Sequence, residues 1–192
     1  MPWGTPFGAW TGSVCYGMAT GEKLRLFFAI LPDDAVRARL DTLARATAER
    51  AEGRASAPHT LHLTVVFVGT VDAARAASVE DSGAALRANA FRLTLDTLGT
   101  FTRAGIAWAA PSAPPEELVS ANRALVHALS GHGIATEARA FRPHVTLARR
   151  CARAVNGPLE PPIAWHADRL VLMSSRLLSE GPRYREVASW PM

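Results

Sequence analysis

The sequence predicts an α+β fold built on mainly antiparallel sheets. Three observations carry this reading. Strand-like and helix-like segments follow one another in mixed order along 192 residues. No glycine-rich phosphate loop follows any predicted strand, since both Gly-x-Gly-x-x-Gly and Walker patterns are absent. A short pattern, His-x-Thr, occurs twice in predicted strands and is flanked by apolar residues both times. The length suits one domain, or two small lobes sharing a cleft. With 48% hydrophobic and 20% charged residues, the chain can bury a core without disulfide or metal staples.

Residues 24–31 (LRLFFAIL) are a nearly continuous apolar run, as expected of a buried strand. Pro32, Asp33 and Asp34 end it and open a helix, with carboxylates placed well for a helix N-terminus. Val36, Leu40, Leu43 and Ala44 recur at helical spacing and arginines fill the other face. Residues 53–58 read as a loop, 61–68 as a second strand closed by Gly69, and 71–88 as a helix that Gly83 weakens by about 1 kcal/mol relative to Ala. Residues 91–98 alternate apolar with polar, which marks a half-buried strand. A strand at 106–110 and a helix at 114–130 follow, the helix stopped by Gly131 and Gly133. Residues 144–149 read as a strand and 151–162, rich in Pro and Gly, as a loop. The last strands are expected at 165–173 and 184–189, joined by a turn at Gly181 and Pro182.

The formal net charge is +4, and of the 21 Lys and Arg residues only Lys23 is lysine. A mild positive excess favours anionic ligands, and arginine meets phosphate with a planar fork. Cys15 and Cys151 form no ligand pair, so neither a zinc site nor a disulfide scaffold is expected. No apolar run reaches the roughly 20 residues of a membrane helix. Residues 1–21 lack a basic n-region and a continuous apolar core; they are expected to be a disordered extension, not a signal peptide. A cytoplasmic protein is expected, with no obligate protein partner.

The chemistry lies in the repeated motif. The first copy is His62-Leu63-Thr64-Val65-Val66-Phe67 and the second His144-Val145-Thr146-Leu147-Ala148-Arg149. In a strand, residues i and i+2 share a face. His62 and Thr64 therefore point one way, and Leu63, Val65 and Phe67 the other, toward helices. Val145 and Leu147 repeat this behind His144 and Thr146. The duplication predicts two related lobes facing each other across a cleft in which two imidazoles and two hydroxyls converge. Histidine has an ordinary pKa of about 6.5, so near neutral pH one ring can hold a proton while the other accepts one. That pair suits phosphodiester hydrolysis. The threonine hydroxyls suit the non-bridging oxygens, where charge grows. The sequence offers no acidic cluster to hold a metal, and no cofactor is expected.

The segments HLTVVFVG and HVTLAR resemble the two signature motifs of the 2H phosphoesterase superfamily. Within it the chain is similar to the RNA 2′,3′-cyclic phosphodiesterases once called 2′-5′ RNA ligases. The resemblance runs from about Leu24 to the C-terminus, through RLFFAILP, the segment LGTF with Trp108 after it, FRPHVTLAR, and Leu172, Ser174 or Ser175, Gly181 and Tyr184. It implies that residues 22–192 form a single bilobal domain. The lobes would be pseudo-symmetric, each a mainly antiparallel sheet backed by helices, with a central active-site cleft. It implies His62 and His144 as the catalytic pair, with His62 the acid toward the leaving 3′ oxygen and His144 the base toward water. Thr64 and Thr146 would bind the substrate phosphate. The implied partners are RNA 3′ ends or small nucleotides carrying a cyclic phosphate. A 2′-5′ linked RNA, an ADP-ribose cyclic phosphate, or a non-catalytic RNA-end binding role are the alternatives.

Arg149 is a further phosphate-binding candidate. It lies five residues after His144 (149 − 144), on the opposite face of a regular strand, so only a strand end or a bulge would turn it to the cleft. Arg142 reads as solvated, and His59, His127, His132 and His166 as structural or exposed. Phe101 and Trp108 read as core, with stacking on a base as the alternative. Residues 55–60 lack the aromatic and Asn that the resemblance would place there, which leaves base preference open.

Overall fold

Short apolar runs rich in β-branched and aromatic residues become strands, and amphipathic runs become the helices that cover them. A computed structural model describes residues 23–137, 139–178 and 181–192; the expected extension at 1–21, with Cys15, lies outside them. The elements in chain order are β1 (Lys23–Ile30), α1 (Asp34–Arg50), β2 (Arg54–Ala55), β3 (Leu63–Asp72), α2 (Ala76–Ala84), β4 (Phe91–Phe101), β5 (Ile106–Ala110), α3 (Glu116–Gly131), β6 (Val145–Arg149), β7 (Gly157–Ala167), β8 (Arg169–Leu178) and β9 (Gly181–Pro191). Asp33 caps α1, its carboxylate accepting from the Val36 amide at 2.7 Å.

The strands form one sheet in the order β7-β4-β5-β6-β3-β1-β8-β9, with β2 also beside β6. Each ladder is antiparallel. The order divides into two four-stranded halves with the same plan, β3-β1-β8-β9 and β6-β5-β4-β7. Each half contains a strand-helix-strand unit, β1-α1-β3 in one and β5-α3-β6 in the other. Among the described residues the halves pair at one position, Leu63 with Val145.

The helices cover the sheet crosswise. α1 packs on β6, β2 and β7, strands of the opposite half, while α3 packs on β3 and against α2. Arg39 on α1 donates to the Pro162 carbonyl of β7 at 2.8 Å, fastening that crossing. The main core lies between this helical back and the sheet, with Leu26, Phe28, Leu40, Leu63, Leu95, Leu118, Leu125, Val145 and Leu147 all buried. A smaller cluster of Phe27, Ala29, Val171 and Met173 lies on the front of the first half, with Phe67 and Tyr184 at its edge.

Several expectations need correction. The helix expected over 71–88 is confined to Ala76–Ala84, because β3 continues to Asp72 along β1. Gly83 is tolerated there because the Trp190 and Phe28 rings fill the space a Cβ would occupy. The loop expected over 151–162 gives way to β7 at Gly157. β7 is an edge strand, where Pro158, Pro161 and Pro162 interrupt no inner ladder. The strand expected over 165–173 is two strands. Ala167 pairs with Phe91 at one end of the sheet and Arg169 with Pro191 at the other, so the chain changes halves at Asp168. Gly181 and Pro182, expected in a turn, already pair with Leu178 and Leu177.

Candidate active site

The Leu63–Val145 pair organises the site. Both side chains are fully buried in the back core. Antiparallel register continued by one residue each way sets His62 beside Thr146 and Thr64 beside His144. Strand alternation turns all four to the front.

Both motif strands then bulge at the same point. On β3, Thr64 pairs with Ala29 and Val66 with Phe28, so Val65 is the extra residue. On β6, Thr146 pairs with Trp108 and Ala148 with Ala107, so Leu147 is the extra residue. An unpaired carbonyl at a bulge is costly when buried, and each one is satisfied. The Asn122 side-chain amide of α3 donates to the Val65 carbonyl at 2.7 Å, and the Ser56 backbone amide donates to the Leu147 carbonyl at 2.8 Å.

The bulges shift the alternation by one. Val65 and Val66 both point back, as do Leu147 and Ala148. Residues 67 and 149 therefore turn to the front, and Arg149 joins the side of His144 and Thr146. Phe67 corrects the simple alternation: it is half-buried beside Phe27 and Tyr184, with the Arg25 guanidinium 4.9 Å from its ring centre. Phe67 and Arg149 are counterparts, each five residues past its histidine (67 − 62 and 149 − 144).

The two imidazoles are held alike. Nδ1 of His62 lies 2.7 Å from the Thr60 carbonyl, and Nδ1 of His144 lies 2.7 Å from the Arg142 carbonyl. A carbonyl only accepts, so each Nδ1 carries the hydrogen and each neutral ring keeps its lone pair on Nε2. His62 Nε2 lies 3.1 Å from the Thr64 hydroxyl. Aromatic walls fix the ring planes. Phe27 and Tyr184 sit 4.9 and 5.2 Å from His62, and Phe101 and Trp108 sit 5.1 and 6.5 Å from His144. Trp108 lies flat over Gly99, where any Cβ would collide with the indole.

These surroundings favour neutral imidazole. Burial lowers His62 to about 4; the Thr60 carbonyl opposes this, and the charges of Arg149 and His144 add to it. His144 is lowered by burial and by Arg149, against its bond to the Arg142 carbonyl. Burial raises the Tyr184 hydroxyl, opposed by the nearby guanidinium groups of Arg149 and Arg25. Arg149 thus acts electrostatically on both histidines and on Tyr184.

The structure brings His62, Thr64, His144, Thr146 and Arg149 to one face. His59, His127, His132, His166 and Arg142 are exposed. Among the described residues no group of three His, Cys, Asp or Glu is placed to hold a metal ion. No helix among them is long and apolar enough to cross a membrane. Sequence reasoning missed Phe27 and Asn122, whose positions follow from strand pairing and helix packing, and preferred core packing to base stacking for Phe101 and Trp108.

The face is that of a known class: the chain belongs to the 2′-5′ RNA ligase superfamily, whose model matches residues 32–177. A curated relative, the RNA 2′,3′-cyclic phosphodiesterase of Escherichia coli strain K12, is 29% identical over 173 residues, covering 89% of this chain and 98% of the relative. The fold is similar to that of Escherichia coli LigT. Its apo crystal structure matches with a TM-score of 0.80 at 29% identity, over 90% of this chain and 99% of that one. The crystal structure of LigT complexed with 3′-AMP matches with a TM-score of 0.81 at 28% identity, over 89% and 99%.

Proposed function

We propose that this chain is a phosphodiesterase that opens 2′,3′-cyclic phosphates at RNA 3′ ends or on small nucleotides, leaving a 2′-phosphate, with no metal in the step. The observation that carries the reading is the Leu63–Val145 bridge, which sets two His-x-Thr strands side by side with their polar faces together. The name of the Escherichia coli relative and the 3′-AMP complex of LigT support a cyclic ribose phosphate as substrate.

In the proposed step, His144 Nε2 takes a proton from water as the water oxygen bonds to phosphorus. The bond from phosphorus to the 3′ oxygen breaks, and His62 gives that oxygen its proton. The Thr64 and Thr146 hydroxyls and the Arg149 guanidinium donate to the non-bridging oxygens, where charge grows in the transition state. Burial biases both rings to the neutral form. The anionic phosphate supplies what the acid needs, since a nearby negative charge raises an imidazole pKa. Substrate binding thereby loads the acid with a proton.

The test is hydrolysis of a 2′,3′-cyclic nucleotide by the single variants His62→Ala and His144→Ala. Each should lose roughly 10²–10⁴-fold in turnover while keeping its far-UV circular dichroism, and phosphorus NMR of the wild-type product should show a 2′-phosphate. Wild-type rates in both variants would end the proposal.

A further inference from the structure

Beyond the histidines, the front of the sheet carries a pair of charges of which the hydrolytic step uses only Arg149. Arg54 and Arg149 face each other directly across the β2–β6 ladder. The next pair in that ladder, Ala55 and Ala148, clusters with Ala48 of α1 on the back. Alternation therefore turns both guanidinium groups to the front. Both side chains are exposed, and neither has a carboxylate partner among the described residues. The neighbouring acid, Glu52, is taken by Arg153 at 3.0 Å.

Like charges set directly opposite each other destabilise a sheet. Arg54, on the two-residue β2, set against Arg149 at the end of β6 with no carboxylate between them, is thus a local cost that an anionic ligand would relieve. The charge is also one-sided. In the other half the counterpart of Arg149 is Phe67, seated among Phe27 and Tyr184. The cationic end of the site is the one beside His62 and Thr146.

We propose that Arg54 and Arg149 form a second phosphate subsite. It would hold the internucleotide phosphodiester next to the terminal cyclic phosphate, and the preferred substrate class is then an RNA 3′ end, not a free mononucleotide. This rests on the phosphodiesterase reading, which puts the terminal phosphate between His62 and His144. The five donors of a guanidinium fork let Arg149 serve both phosphates. Arg54 then meets the outer one alone. Phosphate contacts of this kind fix register and leave base identity unread.

The experiment compares two ligands on wild type and Arg54→Gln: a mononucleotide 2′-phosphate and a dinucleotide that adds one internal phosphodiester to the same 2′-phosphate end. Binding is measured by calorimetry across a salt series. Wild type should bind the dinucleotide about tenfold more tightly, the scale of one charge-assisted hydrogen bond. Arg54→Gln should lose that preference while its mononucleotide affinity holds. Its log–log salt slope for the dinucleotide should fall by about 0.7, the value for one phosphate of a single strand. With a repulsion removed, its melting temperature should hold or rise. Equal affinities of the two ligands for wild type, or equal effects of Arg54→Gln on both, would overturn the subsite. A wild type that shows the preference but hydrolyses no cyclic phosphate would instead defeat the proposed function and leave the subsite standing.

Discussion

Leu63 and Val145 face each other at the only pairing between the two halves of the sheet among the described residues, with both side chains fully buried. Every front-side residue of the candidate site is positioned relative to this pair, because register on either side of it sets which residues are neighbours. The pair also stands where the crossed helices α1 and α3 meet the strands of the opposite halves. Packing and chemistry therefore share one point in the fold.

Truncating that point should be costly. Leu63→Ala removes a wholly buried side chain at a junction tied down from both halves, so relaxation can fill little of the cavity. A loss of about 2–5 kcal/mol is expected, the range for buried Leu→Ala changes. Urea unfolding checks it.

The bulges give a second prediction. Asn122 on α3 satisfies the carbonyl that the Val65 bulge leaves free. Asn122→Leu keeps the approximate volume and removes the donor, stranding a part-buried acceptor at a cost of about 1–3 kcal/mol. It should also lower activity by more than the stability loss predicts, because the bulge turns Phe67 forward beside the aromatic wall of His62. Denaturant midpoints and turnover, measured on the folded variant, separate the two effects.

Much of this fold was legible from residue pattern. The apolar run at β1, the amphipathic stripe of α1 and the alternation of β4 each state their own structure. The duplicated His-x-Thr pointed to four candidate site residues because a strand face depends only on position i and i+2. What pattern could not show was the partner of each strand. The bulges at Val65 and Leu147 arise from pairing with β1 and β5, so the forward turn of Phe67 and the side of Arg149 have no local signature. Prolines misled at 158–162 for a related reason: a proline argues against an inner strand, and only the sheet order reveals that β7 lies at an edge.

Acid should weaken the fold through His62. Its folded pKa is about 4, whereas an unfolded histidine titrates near 6.5. Between those values the unfolded chain binds more protons than the folded one, so stability rises with pH. Lowering the pH from 6.5 toward 4 should therefore lose stability progressively, and His144, shifted the same way, adds to the slope. Unfolding midpoints at pH 7 and pH 5 should differ less in His62→Ala than in wild type. An equal difference would show that His62 titrates normally in the folded chain.

Arg149 offers the sharpest electrostatic test, because its charge disfavours the imidazolium form of both histidines. Removing a positive neighbour raises a histidine pKa. In Arg149→Gln, NMR titration should move both His62 and His144 upward. Both should stay below the ordinary histidine value, since burial is the larger cause and is untouched. Turnover should fall as well, by about 10–100-fold in kcat/KM if the guanidinium makes a charged hydrogen bond to the phosphate. Arg149→Lys separates the two roles. It keeps the charge, so the histidine titrations should hold near wild type, but it loses the planar fork, so activity should still drop. Titrations that move in neither variant would mean that Arg149 does not reach the histidines in solution.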